Sequence, residues 1–151
     1  MSATHFSGPV VSTGGFTGDV TGDVTGAVTG GTVRLVESIS GDETITAADS
    51  GKMFVDVKGS ATTTFTLPVA AAGLTYTFVC GDADGEILID PQTGDAIVTK
   101  ADPTGASVAP AAGTGIKNTA ATNIVGDHIT LVALDATTWY TVAQGGTWAS
   151  Q

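Results

Sequence analysis

Between residues 52 and 58 apolar and polar side chains alternate, which puts Met53, Val55 and Val57 on one face of an extended chain. Gly59 and Ser60 supply a turn, and residues 61–67 alternate again. Phe65 and Leu67 then point inward while Thr62, Thr64 and Thr66 meet water, so the two runs predict a β-hairpin. Pro68 has no N–H for a ladder and ends the second strand. Residues 74–80 predict the next strand, with Leu74, Tyr76, Phe78 and Cys80 on one face. Turns over 81–85 and 91–95 bracket a strand at 86–90, whose inward pair is Ile87 and Ile89, and lead on to a strand at 96–99. Residues 128–134 and 138–142 predict a second hairpin around Asp135, Ala136 and Thr137. Short strands at regular spacing with turn signals between them predict an all-β fold, a small antiparallel β-sandwich or barrel-like domain. Its expected core is Met53, Val55, Val57, Phe65, Leu67, Tyr76, Phe78, Ile87, Ile89, Ile129, Leu131 and one of the last aromatics. No helix is predicted beyond a turn at 69–72. Residues 101–123 carry Gly, Ala, Pro and Thr with little periodicity, and a connection of that length is functional or mobile.

A different pattern precedes these strands. From Thr17 to Gly30 a four-residue unit repeats as TG-DVTG-DVTG-AVTG-G. Four residues match neither the collagen triplet nor a helical spacing, but they are a multiple of the β period. In an extended chain Val20, Val24 and Val28 share one face with glycines between them, and Asp19, Thr21, Asp23 and Thr25 share the other. A Val/Gly stripe on a lone strand cannot bury itself. Two readings follow: a flexible Gly/Thr linker, or an arm that orders against a neighbour or against copies of itself in a trimer. The chain therefore divides into an extended N-terminal arm, 1–32, and a β-domain, 33–151. Phe16, Val20, Val24 and Val28 are the arm's candidate interaction residues.

Charge narrows the partners. Fifteen acidic and five basic residues give a net charge of −10, and the five cations, Arg34, Lys52, Lys58, Lys100 and Lys117, do not cluster. That balance excludes nucleic acid and an anionic membrane as expected partners. The N-terminus has neither the basic nor the apolar region of a secretory signal, and no run is long enough to span a bilayer. One cysteine excludes an intramolecular disulfide framework and a cysteine-rich zinc site.

The search for chemistry returns little. A nucleophile pair would have to be Cys80 with His128, yet Cys80 shares the apolar face of its strand and reads as a buried, inert thiol. Asp82, Asp84, Glu86 and Asp90 resemble the opening of a calcium loop but lack its later ligands, and Asp with Gly is also what a tight turn requires. No phosphate loop, dinucleotide fingerprint or nucleophile elbow is present. The expectation is a protein without enzymatic activity, cofactor or metal. Trp139 and Tyr140 point to opposite faces of one strand. Trp148, near the C-terminus, either packs over the edge of its own domain or contacts a neighbouring subunit.

Several stretches carry a resemblance. They are residues 44–52 (TITAADSGK), Leu67-Pro68 with 72–78 (AGLTYTF), 85–91 (GEILIDP), Trp139-Tyr140 and 146–148 (GTW). In this order they resemble a recurrent β-domain of tailed-bacteriophage structural proteins, versions of which occur in head-decoration (cement) proteins and in tail or head fibres. The TGDVTG arm is similar to N-terminal segments of such virion proteins. The resemblance covers most of the chain and rests on structural motifs. It implies a homotrimer, made in the host cytoplasm, that binds the major capsid protein at the outer surface of the head and stabilises it. The alternative is a trimeric tail or head fibre or adhesin that binds a host surface. A chain of 151 residues holds one globular domain and no long shaft, which favours decoration.

Overall fold

Val, Ile, Thr and aromatic residues alternating with polar ones build strands throughout residues 34–98 and 113–151, the part of the chain that the computed structural model describes. These residues belong to one unit, Val33–Gln151. It contains β1 (Val36–Ile39), β2 (Glu43–Thr44), β3 (Met53–Asp56), β4 (Thr63–Thr66), β5 (Thr75–Cys80) and β6 (Ile87–Asp90). The chain continues through β7 (Ala96–Val98), β8 (Ile116–Asn118), β9 (His128–Ala133), β10 (Thr138–Gly145) and β11 (Trp148–Ser150). The fold is all-β. Among the described residues the one helical piece is a 3₁₀ turn at Ala47–Asp49.

Two sheets share one apolar core. One has six strands in the order β1-β3-β5-β9-β10-β7, the other five in the order β11-β8-β6-β4-β2. The first six strands alternate between the sheets, so the chain climbs in three successive parallel rungs: β1 with β2, β3 with β4, β5 with β6. The direction then changes. β8 runs antiparallel to β6, β9 antiparallel to β5 and β10 antiparallel to β9, while β7 lies parallel to β10 at the far edge. Between the sheets Phe54, Phe65 and Phe78 form a ring cluster with centroids 5.0–6.0 Å apart. Tyr76 stands 5.6 Å from Trp139. The Tyr76 hydroxyl donates to the Thr46 carbonyl, and burial pushes its pKa up to about 12.

Strands form where 74–80, 86–90 and 96–99 predict them, as β5, β6 and β7, with residue 99 outside the described residues, and the hairpin of β9 and β10 turns at Asp135, Ala136 and Thr137 as expected. Three expectations are corrected. The sheets are mixed rather than antiparallel, with five parallel and four antiparallel strand pairs. Residues 52–58 and 61–67 do not pair as a hairpin: β3 and β4 lie in different sheets, because the turn at Gly59 carries the chain round a corner instead of reversing it. In β3 the faces are exchanged. Phe54 and Asp56 point into the core, while Met53 and Val55 are half-buried on the outer side and Val57 is 44% exposed. Asp56 looks like a marker of the wet face, but inside the core its Oδ1 accepts from the Thr63 hydroxyl and the Lys58 N–H, while Oδ2 is buried without a hydrogen-bond partner. The stretch 101–123 also yields a strand, β8, in which Ile116 and Asn118 are fully buried.

The 3₁₀ turn provides an acid-sensitive contact. Asp49 accepts from the Thr46 N–H and hydroxyl and pairs with Lys52 at 2.7 Å. Lys52 first, then the two Thr46 donors, hold its pKa down to about 2, against 3.8 in an unfolded chain. The contribution to stability is therefore complete above pH 3.8 and lost as pH falls through about 2. Thermal melts of Asp49→Asn should show a flatter loss of stability across that interval than the parent protein.

Candidate functional site

The sequence candidates for chemistry are kept apart by the fold. Cys80 faces the core, whereas His128 pairs with Val79 and so shares the outer side of the same sheet. The ring Nδ1 of His128 lies 3.0 Å from the Gly126 carbonyl. Desolvation above all, with the nearby Asp127 and Asp56 carboxylates, pushes the Cys80 thiol up from its ordinary pKa. A thiol reagent should titrate Cys80 only after denaturant is added; labelling of the native protein at the unfolded rate would contradict this placement.

The acidic turn also disperses. Asp82 Oδ1 accepts from the Asp84 N–H within its own turn, and Glu86 faces Lys117 at 3.8 Å. Asp90, half-buried on the outer side of β6, has its pKa raised by desolvation. Among the described residues no group of three or more His, Cys, Asp or Glu side chains converges.

A buried polar layer closes one end of the core. Asp56 accepts from Thr63 across the two sheets at 2.7 Å, and Asp127 Oδ2 accepts from Asn118 Nδ2 across them at 3.1 Å. Asn123 donates to the Gly85 carbonyl at 2.6 Å and reaches the Cys80 sulfur. The chain is tight here: a Cβ on Gly85 would stand 2.1 Å from the Gly59 carbonyl oxygen and 2.6 Å from that of Ala61. These bonds fix how the sheets meet, which is a structural role.

The surface offers more. β1 is an edge strand. The Leu35 and Ile39 carbonyls accept from the Met53 and Val57 N–H groups, so the backbone groups of Val36 and Ser38 point away from the sheet. Leu35 and Val36 are 65% and 62% exposed beside that edge. An open edge next to exposed apolar side chains is a template for an added strand. Sequence reasoning passed over it because β1 is short, carries Glu37 and Ser38, and lacks a clean alternation. At the opposite side of the sheet a β-bulge between Thr141 and Ala143 throws Val142 outward and forms a shallow cleft of about 290 Å³. Its lining, Thr141, Val142, Ala143, Gln144 and Gly146, brings no ionisable side chain.

Of the predicted interaction residues, Phe16, Val20, Val24 and Val28 lie outside the described residues. Trp148 is 1% exposed within its own domain, where its indole donates to the Gly145 carbonyl at 3.0 Å. Trp139 is buried and Tyr140 half-buried on the opposite face, as their adjacency requires. No protein-family model matches the chain, and no curated protein matches it.

Proposed function

We infer that this chain is a non-enzymatic structural protein of a tailed-phage virion, a homotrimer that decorates the outer surface of the major capsid lattice and stabilises the head. The observation that carries the reading is the open β1 edge, with Leu35 and Val36 exposed beside it, three residues after the repeat-bearing arm. Decoration requires adding a small domain to a finished shell, and backbone pairing at a sheet edge does this without a preformed pocket. The acidic, Thr-rich surface fits the outside of a particle better than a contact with packaged nucleic acid. In this reading the two mixed sheets are the faces of a sandwich whose parallel rungs present β1 at one end.

The test is co-sedimentation with expanded capsid shells. Ser38→Pro removes a donor that points to the open edge while leaving the bonds between β1 and β3 in place. Shell binding should weaken by about tenfold or more with unchanged circular dichroism. Removing residues 1–30 should also abolish saturating binding and leave the domain folded, since the described core draws on residues 39–148. Undiminished binding by both variants overturns the reading. Adsorption of labelled protein to host cells, with no affinity for shells, would favour the fibre or adhesin alternative.

A further inference from the structure

The outer side of the six-stranded sheet, where Val36 and Ser38 are exposed, Thr77 is buried and the other residues are half-buried, departs from the rule that an outward sheet face is polar. Strand register sets its side chains in three rows. Thr75, Val132, Tyr140 and Val98 make the first, and Val36, Met53, Thr77 and Thr130 the second. Ser38, Val55, Val79 and His128 make the third. None of the carboxylates among the described residues stands in these rows, and the guanidinium that reaches them, that of Arg34, donates to Thr77 Oγ1 at 2.9 Å. The outer side of the five-stranded sheet is unlike it: Thr44, Thr64, Thr66, Asp90 and Lys117 stand there, with Lys117 facing Glu86. One protein thus has a charged, threonine-rich face and a nearly uncharged face of Val, Met, Tyr and Thr.

We propose that the uncharged outer face of the six-stranded sheet is the surface through which copies of this chain associate. The proposal deepens the homotrimer reading above and rests on it. The charge pattern selects the occupant. Two copies that each carry −10 repel wherever carboxylates meet, and this face is where they can approach without doing so. Around a three-fold axis one part of the face meets a different part of the next copy's, and here both parts are uncharged, with Thr hydroxyls that can donate or accept. A basic partner would need acidic side chains in the rows, and an acidic one more cations than Arg34. The twelve positions of these rows, about 4.8 Å apart across strands and about 6.7 Å apart along them, cover roughly 400 Å² of sheet plane per copy, a contact at the small end of specific interfaces. Three such faces turned toward a common axis bury the rows together, leaving the charged face outside and the open backbone edge of β1 at the rim.

The experiment is sedimentation equilibrium and light scattering on the full chain, with circular dichroism as the folding check. Val132→Glu places a carboxylate in the first row on the inner strand β9, and Val98→Glu places one in the same row on the edge strand β7, where folding tolerates it better. Leu88→Glu, on the outer side of β6, is the control. The parent protein and Leu88→Glu should sediment as the oligomer. At least one folded face variant should dissociate at concentrations about 100-fold higher than the parent does, or be monomeric throughout. Folded face variants that keep the parent's oligomeric mass overturn the assigned surface while leaving self-association standing. If removal of residues 1–30 alone yields monomer and the face variants do not, the arm is the contact and the proposal fails. A parent chain that is monomeric at all concentrations overturns both this proposal and the homotrimer reading.

Discussion

Replacement of Phe65 by alanine should destabilise the domain by about 3–5 kcal/mol, the range for deleting a large buried ring from a well-packed core. Phe65 sits on β4 with no exposed surface, and its ring centroid lies 6.0 Å from that of Phe54 and 5.0 Å from that of Phe78. Those two rings belong to the opposite sheet, so Phe65 is the five-stranded sheet's contribution to the cluster that joins the two. The backbone around it cannot collapse into the void. β4 is held on one side by β6 and on the other by β2, in register from Glu43↔Phe65 to Phe65↔Ile89. Phe65→Leu keeps most of the volume and should cost about 1 kcal/mol. Urea unfolding followed by far-ultraviolet circular dichroism reads both values. A loss under 1 kcal/mol for the alanine variant would mean that the three rings do not form the joint between the sheets.

The legible and illegible parts of this fold separate for physical reasons. Strands that are apolar on one side and polar on the other could be read directly, as with Phe65 and Leu67 against Thr64 and Thr66, or Ile129 and Leu131 against Thr130. β3 could not. Its residues Met53, Phe54 and Val55, with Val57 just beyond it, make both faces apolar, and Asp56, the one polar marker, is buried against the Thr63 hydroxyl. Periodicity alone has no way to choose between the two faces of such a strand. The same ambiguity conceals the uncharged outer face, since alternation alone sends Met53 and Val55 into the core to which they turn their backs.

Pairing partners were harder still. A Gly-Ser turn between two alternating runs is common to a hairpin and to a corner between sheets, and the difference lies in contacts far away in the chain. Phe54 is aligned with Phe78 and Phe65 with Ile89, and each of those pairings spans 24 residues of sequence. β8 and β11 are not legible because each is three residues long without a flanking turn signal and apolar run of the kind that marks β7; Ile116, Asn118 and Trp148 are buried by their neighbours rather than by any pattern of their own. The buried Asn118 and Asp127 were invisible for the converse reason, since polar residues in a glycine-rich stretch read as surface until a partner is found for them.

Asp127 is the partner with most at stake, and Asp127→Ala should cost about 3 kcal/mol or more. The residue is buried, 4% exposed. Oδ2 accepts from Asn118 Nδ2 and from the Ile124 N–H, both at 3.1 Å, so removing the carboxylate strips a backbone donor and a buried amide together. Asn118 Nδ2 also reaches the Thr147 carbonyl, so the loss spreads to the turn between β10 and β11. Gly146 stands in that turn at φ +84°, and a Cβ built on it would lie 2.2–2.4 Å from the Asp127 carboxylate atoms. Gly146→Ala alone is therefore strained twice, by its backbone and by the collision, and should cost about 2–3 kcal/mol. The two substitutions should couple. In the Asp127→Ala background the collision is gone and only the backbone strain remains, so Gly146→Ala should cost about 1 kcal/mol less there than in the parent. Asp127→Asn, which keeps an acceptor of the same shape, should lose about half as much as the alanine variant. Equilibrium unfolding of the four proteins of the cycle gives the coupling directly. Strict additivity would mean that the carboxylate does not occupy the space against Gly146, and the polar layer would then have to close the core in another arrangement.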